Sequence, residues 1–237
     1  MTTTELCPNM IPLVDYVGQR PYDDLLVDAK EIAKQNGING SFLDTTFRLL
    51  GKLARHDEDA AIGGLRTLPI AMEIADEISG FYGINMDPSP IFGGAILHDI
   101  GKLAVPQSLL QKSTAGLEWT ASDRLAMQAH VCAGGAILRS RGFPQAMVRA
   151  VEEHHHKQAG GTEYGVDCQL ANDERIYRDA IAMADFEEAD INRTNTRNRG
   201  LSRQQREQEI AEDVAYVLGD YSDCSVLVER VIKRSLG

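Results

Sequence analysis

The adjacent residues His98 and Asp99 carry the most chemical information in this 237-residue sequence. An imidazole and a carboxylate offer two different metal ligands, and a carboxylate can also bridge two ions. The pair follows the apolar run Ile91 to Leu97 and precedes Gly101, so we expect it at the end of a helix, facing a cleft. A His-Asp dipeptide alone is weak evidence, and its meaning depends on further ligands along the chain.

More histidines and an aspartate, which are common metal ligands, follow His98 and Asp99 at wide spacing along the sequence. Two divalent metals about 3.5–4 Å apart need a bridging carboxylate, several neutral imidazoles and an open position for water. We predict that Asp99 is the bridge, that His98 and Asp185 bind one metal, and that the other histidines of the set bind the second. Lys102 is predicted to neutralise a phosphoryl oxygen as charge builds in the transition state. The candidate ligands are His98, Asp99, His130, His154, His155 and Asp185.

The candidate ligands that follow the His-Asp pair also have ordinary structural explanations. A lone His130 would more often be a surface or satisfied core residue. The run His154 to His156 at a helix end could simply favour the negative end of the helix dipole. Asp185 could cap a helix or form an ion pair. Because all of these explanations would have to coincide, the metal site is the favoured hypothesis.

Composition narrows the class of protein. There are 24 Lys and Arg against 35 Asp and Glu, a formal charge of −11, which argues against a large nucleic-acid surface but leaves room for a small phosphate pocket. No apolar run is long enough for a membrane span, and the N-terminus lacks the features of a signal peptide. The four cysteines form no CxxC pair. We therefore expect a cytoplasmic protein with free thiols and no membrane partner.

The hydrophobic pattern predicts an all-α chain, since no segment alternates with period two for long. A loose arm is expected over residues 1–20, and a kink at Pro69. The basic segment 192–203, with Arg193 and Arg197, is either a phosphate contact or a solvated loop. The predicted helices cover approximately 21–35, 41–53, 57–81, 88–97, 120–142, 144–156, 174–191, 202–218 and 222–236.

A longer succession of residues surrounds the candidate ligands. Its order resembles that of the HD-domain metal phosphohydrolases and, more narrowly, of their HD-GYP branch, from about Leu53 to Arg197. The matching residues are His98-Asp99-Ile100-Gly101-Lys102, Pro106, Leu109, Leu110, Lys112, Leu117, His130, Gly134, Ile137, Leu138, His154, His155, Tyr164, Ala184, Asp185 and Ala189.

The resemblance implies a fold, a cofactor and an activity. The fold would be an HD-domain helical bundle over residues 51–237, with an N-terminal arm and helices in residues 1–50 and additional C-terminal helices. The cofactor would be two divalent ions, iron or manganese. The substrate would be a cyclic dinucleotide such as cyclic di-GMP, or a related nucleotide, contacted by Lys102, Tyr164, Arg193 and Arg197. The sequence does not determine the oligomeric state, and a homodimer is one of the possible states.

The sequence departs from the HD-GYP pattern at two places. Gly63 stands where the family has a metal-binding histidine, when the two are aligned on Arg66, and only Tyr164 remains of the GYP triplet. On one helix, positions 56, 59 and 63 would share a face, so His56 or Asp59 could substitute for the lost imidazole. The alternative is that both are solvated side chains on an exposed face.

Two functions are compatible with these residues. One is a metal-dependent phosphodiesterase, which the intact His-Asp, His and His-His groups favour. The other is a degenerate HD-GYP-like protein that binds a nucleotide or a protein partner without catalysis, which Gly63 and the broken GYP triplet favour. We predict the enzyme.

Overall fold

The computed structural model describes residues 20–115, 117–155, 172–192 and 202–218. In these ranges the chain forms α-helices and one 3-10 helix with no β-strand, so the all-α prediction is confirmed. The α-helices are α1 (Tyr22–Gln35), α2 (Gly40–His56), α3 (Glu58–Tyr82), α4 (Pro88–Leu97), α5 (Gln107–Thr114), α6 (Ala121–Gln128), α7 (His130–Ser140), α8 (Gln145–Glu153), α9 (Asn172–Asn192) and α10 (Arg203–Leu218), and the 3-10 helix is Ile100–Ala104. The predicted arm at residues 1–20 and the helix at 222–236 fall outside this part of the chain, apart from Arg20.

Local capping determines several helix boundaries. The carboxylate of Asp57 accepts a hydrogen bond from the amide of Ala60 and begins α3. Thr120 and Asp123 form the reciprocal capping box that begins α6, as the sequence predicts. The predicted helix 120–142 is instead two helices that meet at Ala129. As a result, His130 is the first residue of α7.

One hydrophobic core holds the helices together. It contains side chains from α1 to α4 and from α7 to α10, and α3 packs extensively against both α4 and α9. Helix α4 is buried along nearly its whole length, from Pro90 to Leu97. An apolar helix with neighbours on all sides has a fixed position, so the residues that follow it, His98 and Asp99, are also fixed. The predicted division at residue 50 falls inside the continuous helix α2.

Two glycines allow backbones to approach near the candidate ligands. A side-chain carbon at Gly64 on α3 would overlap the carbonyl oxygen of Ile96, two residues before His98. A side-chain carbon at Gly101 would overlap the carbonyl oxygen of His130. The 3-10 helix can therefore pack against the start of α7 only because residue 101 lacks a side chain.

We expect Gly101→Ala to destabilise the fold by about 3 kcal/mol, the upper part of the usual range for overpacking. The added methyl group must push α7 away and displace His130. Gly51→Ala in α2 is the matched control, because among the described residues a side-chain carbon there meets only Arg55, at an ordinary 3.8 Å. The control should be about 0.5–1 kcal/mol more stable than the natural protein, since alanine favours a helix over glycine. Urea denaturation measures both, and equal stability of the two variants would contradict the packing argument.

Candidate metal centre

Four helix segments bring the candidate ligands together. His98 and Asp99 follow the C-terminus of α4, and His130 begins α7. His154 and His155 follow the C-terminus of α8, and Asp185 lies within α9. Residues separated by up to 87 positions in the sequence therefore face one another.

The interatomic distances define a compact cluster. Nε2 of His98 lies 3.5 Å from Oδ2 of Asp99 and 3.3 Å from Oδ1 of Asp185. Oδ1 of Asp99 lies 3.3 Å from Nε2 of His130. The ring of His154 is centred 5.2 Å from that of His98, 5.5 Å from that of His130 and 4.0 Å from that of His155. Asp99 thus lies between the two halves of the cluster, which is the position that a bridging ligand needs.

The cluster is almost completely buried. His98, Asp99, His130, His154 and His155 are each no more than 8% exposed, and the side chain of Asp185 is 14% exposed. Burying so many ionisable groups is costly unless they bind something or each other. Their burial therefore supports a role in binding.

Three of the histidines share one orientation. In each, the ring Nδ1 donates a hydrogen bond to the backbone carbonyl three residues earlier, so Nδ1 carries a proton and Nε2 is the nitrogen left for a metal. Such a bond to a carbonyl is typical of metal-binding histidines, because it fixes the tautomer and the ring. The pairs are His98 with Ala95 at 2.9 Å, His130 with Met127 at 2.7 Å and His154 with Val151 at 2.7 Å.

His154 has a buried nitrogen that a metal would satisfy. Its Nε2 is inaccessible to solvent and has no hydrogen-bond partner among the described residues. Leaving a buried polar atom unsatisfied costs about 1–3 kcal/mol. The residues therefore fit a metal ion at this point.

The electrostatics keep three of the four imidazoles in the neutral form that binds metal. Burial lowers the pKa of His130, that of His155 to about 4 and that of His154 well below its usual value, so these imidazoles are neutral near pH 7. Burial also acts to lower the pKa of His98, but the carboxylates of Asp99 and Asp185 outweigh it and raise the pKa well above the usual value.

The two carboxylates remain ionised. Burial alone would raise the pKa of both, but nearby cationic groups outweigh it, chiefly Lys102 for Asp99 and His98 for Asp185, and both pKa values are lowered. Nζ of Lys102 lies 2.6 Å from Oδ2 of Asp99. The ammonium group therefore lies beside Asp99, where it could also contact a phosphoryl oxygen.

The ligand atoms form two groups in the described part of the chain. One contains His130, His154 and His155, the other His98, His154 and Asp185, and the atoms of each group lie within 4.8 Å of one another. Since Nδ1 of His154 is already bonded, its single open nitrogen can bind one ion only. If two ions bind, the group without His154 has only two ligands. Asp99 is then needed as an additional ligand, either shared by both ions or bound to the ion of that group.

The expectation that positions 56, 59 and 63 share one helical face is wrong for His56, whereas Asp59 and Gly63 are both in α3, four residues apart. Helix α2 ends at His56, Asp57 is extended with φ −149° and ψ 94°, and α3 begins at Glu58. The ring Nε2 of His56 instead lies 3.1 Å from the carbonyl oxygen of Val105, and His56 belongs to neither ligand group. The interruption by the Asp57 cap is the physical reason.

Around Gly63 and Asp59 the structure is open. Asp59 is exposed in the first turn of α3 and also belongs to neither ligand group. Outside the backbone of α3 itself, a side-chain carbon at Gly63 would have no neighbour within 4 Å in the described part of the chain. Its neighbour Gly64 contacts the backbone of Ile96, so Gly63 lies beside the end of α4 that leads to His98.

The remaining predicted contacts cannot be placed. Tyr164, Arg193 and Arg197 lie outside the described residues. Conversely, the sequence reasoning missed two buried acidic residues, Glu152 and Glu153, next to the histidine pair. Their burial could have been suspected, because the apolar face of α8 runs directly into them.

Comparisons with known proteins identify the family of this chain and its fold. The HD domain family matches residues 65–190, more than half of the sequence, and the chain belongs to that family. A crystal structure of the HD domain of the L. monocytogenes phosphodiesterase PgpH in complex with cyclic-di-AMP is similar, with 19% identity over 79% of this chain and 94% of that chain and a TM-score of 0.52. A second structure of that domain gives 17% identity, the same coverage and a TM-score of 0.49.

At 19% identity, the likeness to the structure of PgpH with cyclic-di-AMP shows a shared fold. No curated protein matches the sequence. None of the helices in the described ranges combines the length and hydropathy that crossing a lipid bilayer requires.

Proposed function

We propose that this HD-domain protein is a metal-dependent phosphodiesterase that hydrolyses a cyclic dinucleotide. The observation that carries the proposal is the buried cluster of four imidazoles and two carboxylates around Asp99, in which Nε2 of His154 has no hydrogen-bond partner among the described residues. A cluster of this composition suits two divalent transition metals, and we propose iron or manganese.

Each ligand has a distinct task in this proposal. Bound divalent ions would supply Lewis acidity toward phosphoryl oxygens and lower the pKa of a water molecule. Asp99 holds the two halves of the centre together, and His98 and Asp185 hold one side. Lys102, next to Asp99, would stabilise the negative charge that develops on the phosphoryl group.

The choice of a cyclic dinucleotide has two supports. The sequence resembles the HD-GYP branch, which implies cyclic di-GMP, and the similar HD domain of PgpH was solved with cyclic-di-AMP. We propose Tyr164, Arg193 and Arg197 as additional substrate contacts. The protein would act in the cytoplasm, as a monomer or a homodimer, with residues 51–237 as the catalytic unit.

One observation favours the alternative of binding without catalysis. The open space at Gly63 leaves the half of the centre with His98 and Asp185 one imidazole short of the family pattern. A protein that binds its metal weakly there could retain the nucleotide without cleaving it.

Metal analysis of the purified protein and a phosphodiesterase assay separate the two functions. Cyclic di-AMP, cyclic di-GMP and a linear dinucleotide should be tested with manganese or with anaerobic ferrous iron. The enzyme predicts bound metal and conversion of at least one cyclic substrate to a linear product. Binding of a cyclic dinucleotide without turnover under both metals would select the alternative, and the absence of metal binding would refute both the metal centre and the enzyme.

A further inference from the structure

Two adjacent glutamates end α8 immediately before the histidine pair. Glu152 is 7% exposed and Glu153 is 0% exposed, although carboxylates are seldom buried without partners. Consecutive residues of a helix point about 100° apart, since a turn contains 3.6 residues. The two side chains can therefore contact different neighbouring helices.

Glu152 is bound to α7. Its two carboxylate oxygens accept hydrogen bonds from Arg139 at 2.8 and 2.5 Å. A side-chain carbon at Gly135 on α7 would overlap this carboxylate, so a glycine makes the room for it. The bidentate pair connects α8 to the helix that begins with His130.

Glu153 is directed toward α9. Its Oε2 lies 3.6 Å from Nη1 of Arg178, and Nε of Arg178 donates to Asp179 at 2.5 Å. Arg178 is seven residues before Asp185, which is two helical turns on the same face. This buried ion pair therefore connects the helix of His154 to the helix of Asp185.

We infer that Glu152 and Glu153 are positioning residues, which set the register of α8 against α7 and α9 and so align the histidine pair with His130 and Asp185. The inference rests on the metal centre of the proposed function. Burying ionised carboxylates costs free energy, and such pairs are best explained where they specify a register. In this role the carboxylates act through the helices that they connect.

The same helix pair contains a matched control. Arg149 of α8 and Glu174 of α9 form an ion pair at 3.0 Å, one turn earlier on each helix. Their side chains are 33% and 28% exposed, so solvent screens this pair more than the buried one. Glu174→Gln thus removes a charge from the same interface at a greater distance from the histidines.

The test compares Glu153→Gln with Glu174→Gln in the full chain. In Glu153→Gln, Arg178 keeps its bond to Asp179, so no arginine is left without a partner. We expect the Kd for Mn²⁺, measured by chelator competition, to rise about 10-fold in Glu153→Gln, as for supporting residues of metal sites. Glu174→Gln should change it less than about 2-fold, within the small effect of exposed pairs. The visible absorption spectrum of the Co²⁺-loaded protein should change in Glu153→Gln only.

A metal-free measurement makes the result independent of activity. Long-range ¹H–¹⁵N spectra should show altered imidazole signals of His154 and His155 in Glu153→Gln and unaltered ones in Glu174→Gln. Glu153→Asp, which keeps the charge, should recover part of the natural spectrum. Equal effects of Glu153→Gln and Glu174→Gln, or a lower Tm of Glu153→Gln with unchanged Kd and spectra, would overturn the inference. Absence of phosphodiesterase activity in the natural protein would refute the proposed function, but the comparison of Kd values and spectra between Glu153→Gln and Glu174→Gln would still test the positioning role.

Discussion

Replacing Asp99 with alanine should remove metal from both positions of the centre and reduce phosphodiesterase activity to background. The carboxylate lies between the two halves of the cluster, with Oδ1 at 3.3 Å from His130 and Oδ2 at 3.5 Å from His98. A ligand shared by two ions cannot be lost from one of them alone. Metal analysis after dialysis should therefore give less than one ion per chain, and circular dichroism should show a retained helical fold, because the apolar residues of α4 hold that helix in the core.

Two further variants make this prediction specific. Asp185→Ala should release only the ion held with His98, so the metal content should lie between those of Asp99→Ala and the natural protein. His156→Ala should lose little metal, because the resemblance to HD-GYP proteins assigns the ligands to His154 and His155. Equal metal loss in Asp99→Ala and His156→Ala would mean that the wrong two histidines of the run were chosen.

Much of the helical architecture could be predicted because it depends on local rules. The caps at Asp57 and Thr120 and the proline near the start of α4 correspond to observed helix boundaries. The break at Ala129 could not be predicted. The hydrophobic pattern continues across residues 120–142, and the division into α6 and α7 comes with the packing of His130 against the 3-10 helix at Gly101.

The candidate ligands could be chosen by residue type and by family order, but their arrangement could not. Asp57 begins α3 between His56 and Asp59, so these two residues are in different helices, although the shared-face argument placed them in one. Nor does residue type show that Glu152 and Glu153 are buried, since glutamates at a helix end are ordinarily solvated. Tertiary contacts with Arg139 and Arg178 determine that burial.

The position of Gly63 leads to the prediction with the largest expected gain. Apart from the backbone of α3 itself, no atom of the described residues lies within 4 Å of a side-chain carbon built there, so an imidazole can be added without displacing the described core. Gly64 contacts Ile96, which places residue 63 beside the segment that carries His98. Gly63→His should therefore supply the ligand that the family pattern has and this chain lacks. Metal content and phosphodiesterase rate should rise together, with the Kd of the weaker ion falling about 10-fold or more, the size of effect that even supporting residues of metal sites reach.

Gly63→Ala is the control for this gain. It removes the same helical glycine without adding a ligand, so it should increase stability by about 0.5–1 kcal/mol and leave the metal content unchanged. If the natural protein already binds two ions fully, and Gly63→His increases neither the metal content nor the phosphodiesterase rate, then the missing side chain at position 63 has no role in metal binding. A gain in Gly63→His that Gly63→Ala matches would reflect helix stability alone. Only a gain confined to the histidine variant identifies the missing imidazole as what limits the half of the centre with His98 and Asp185.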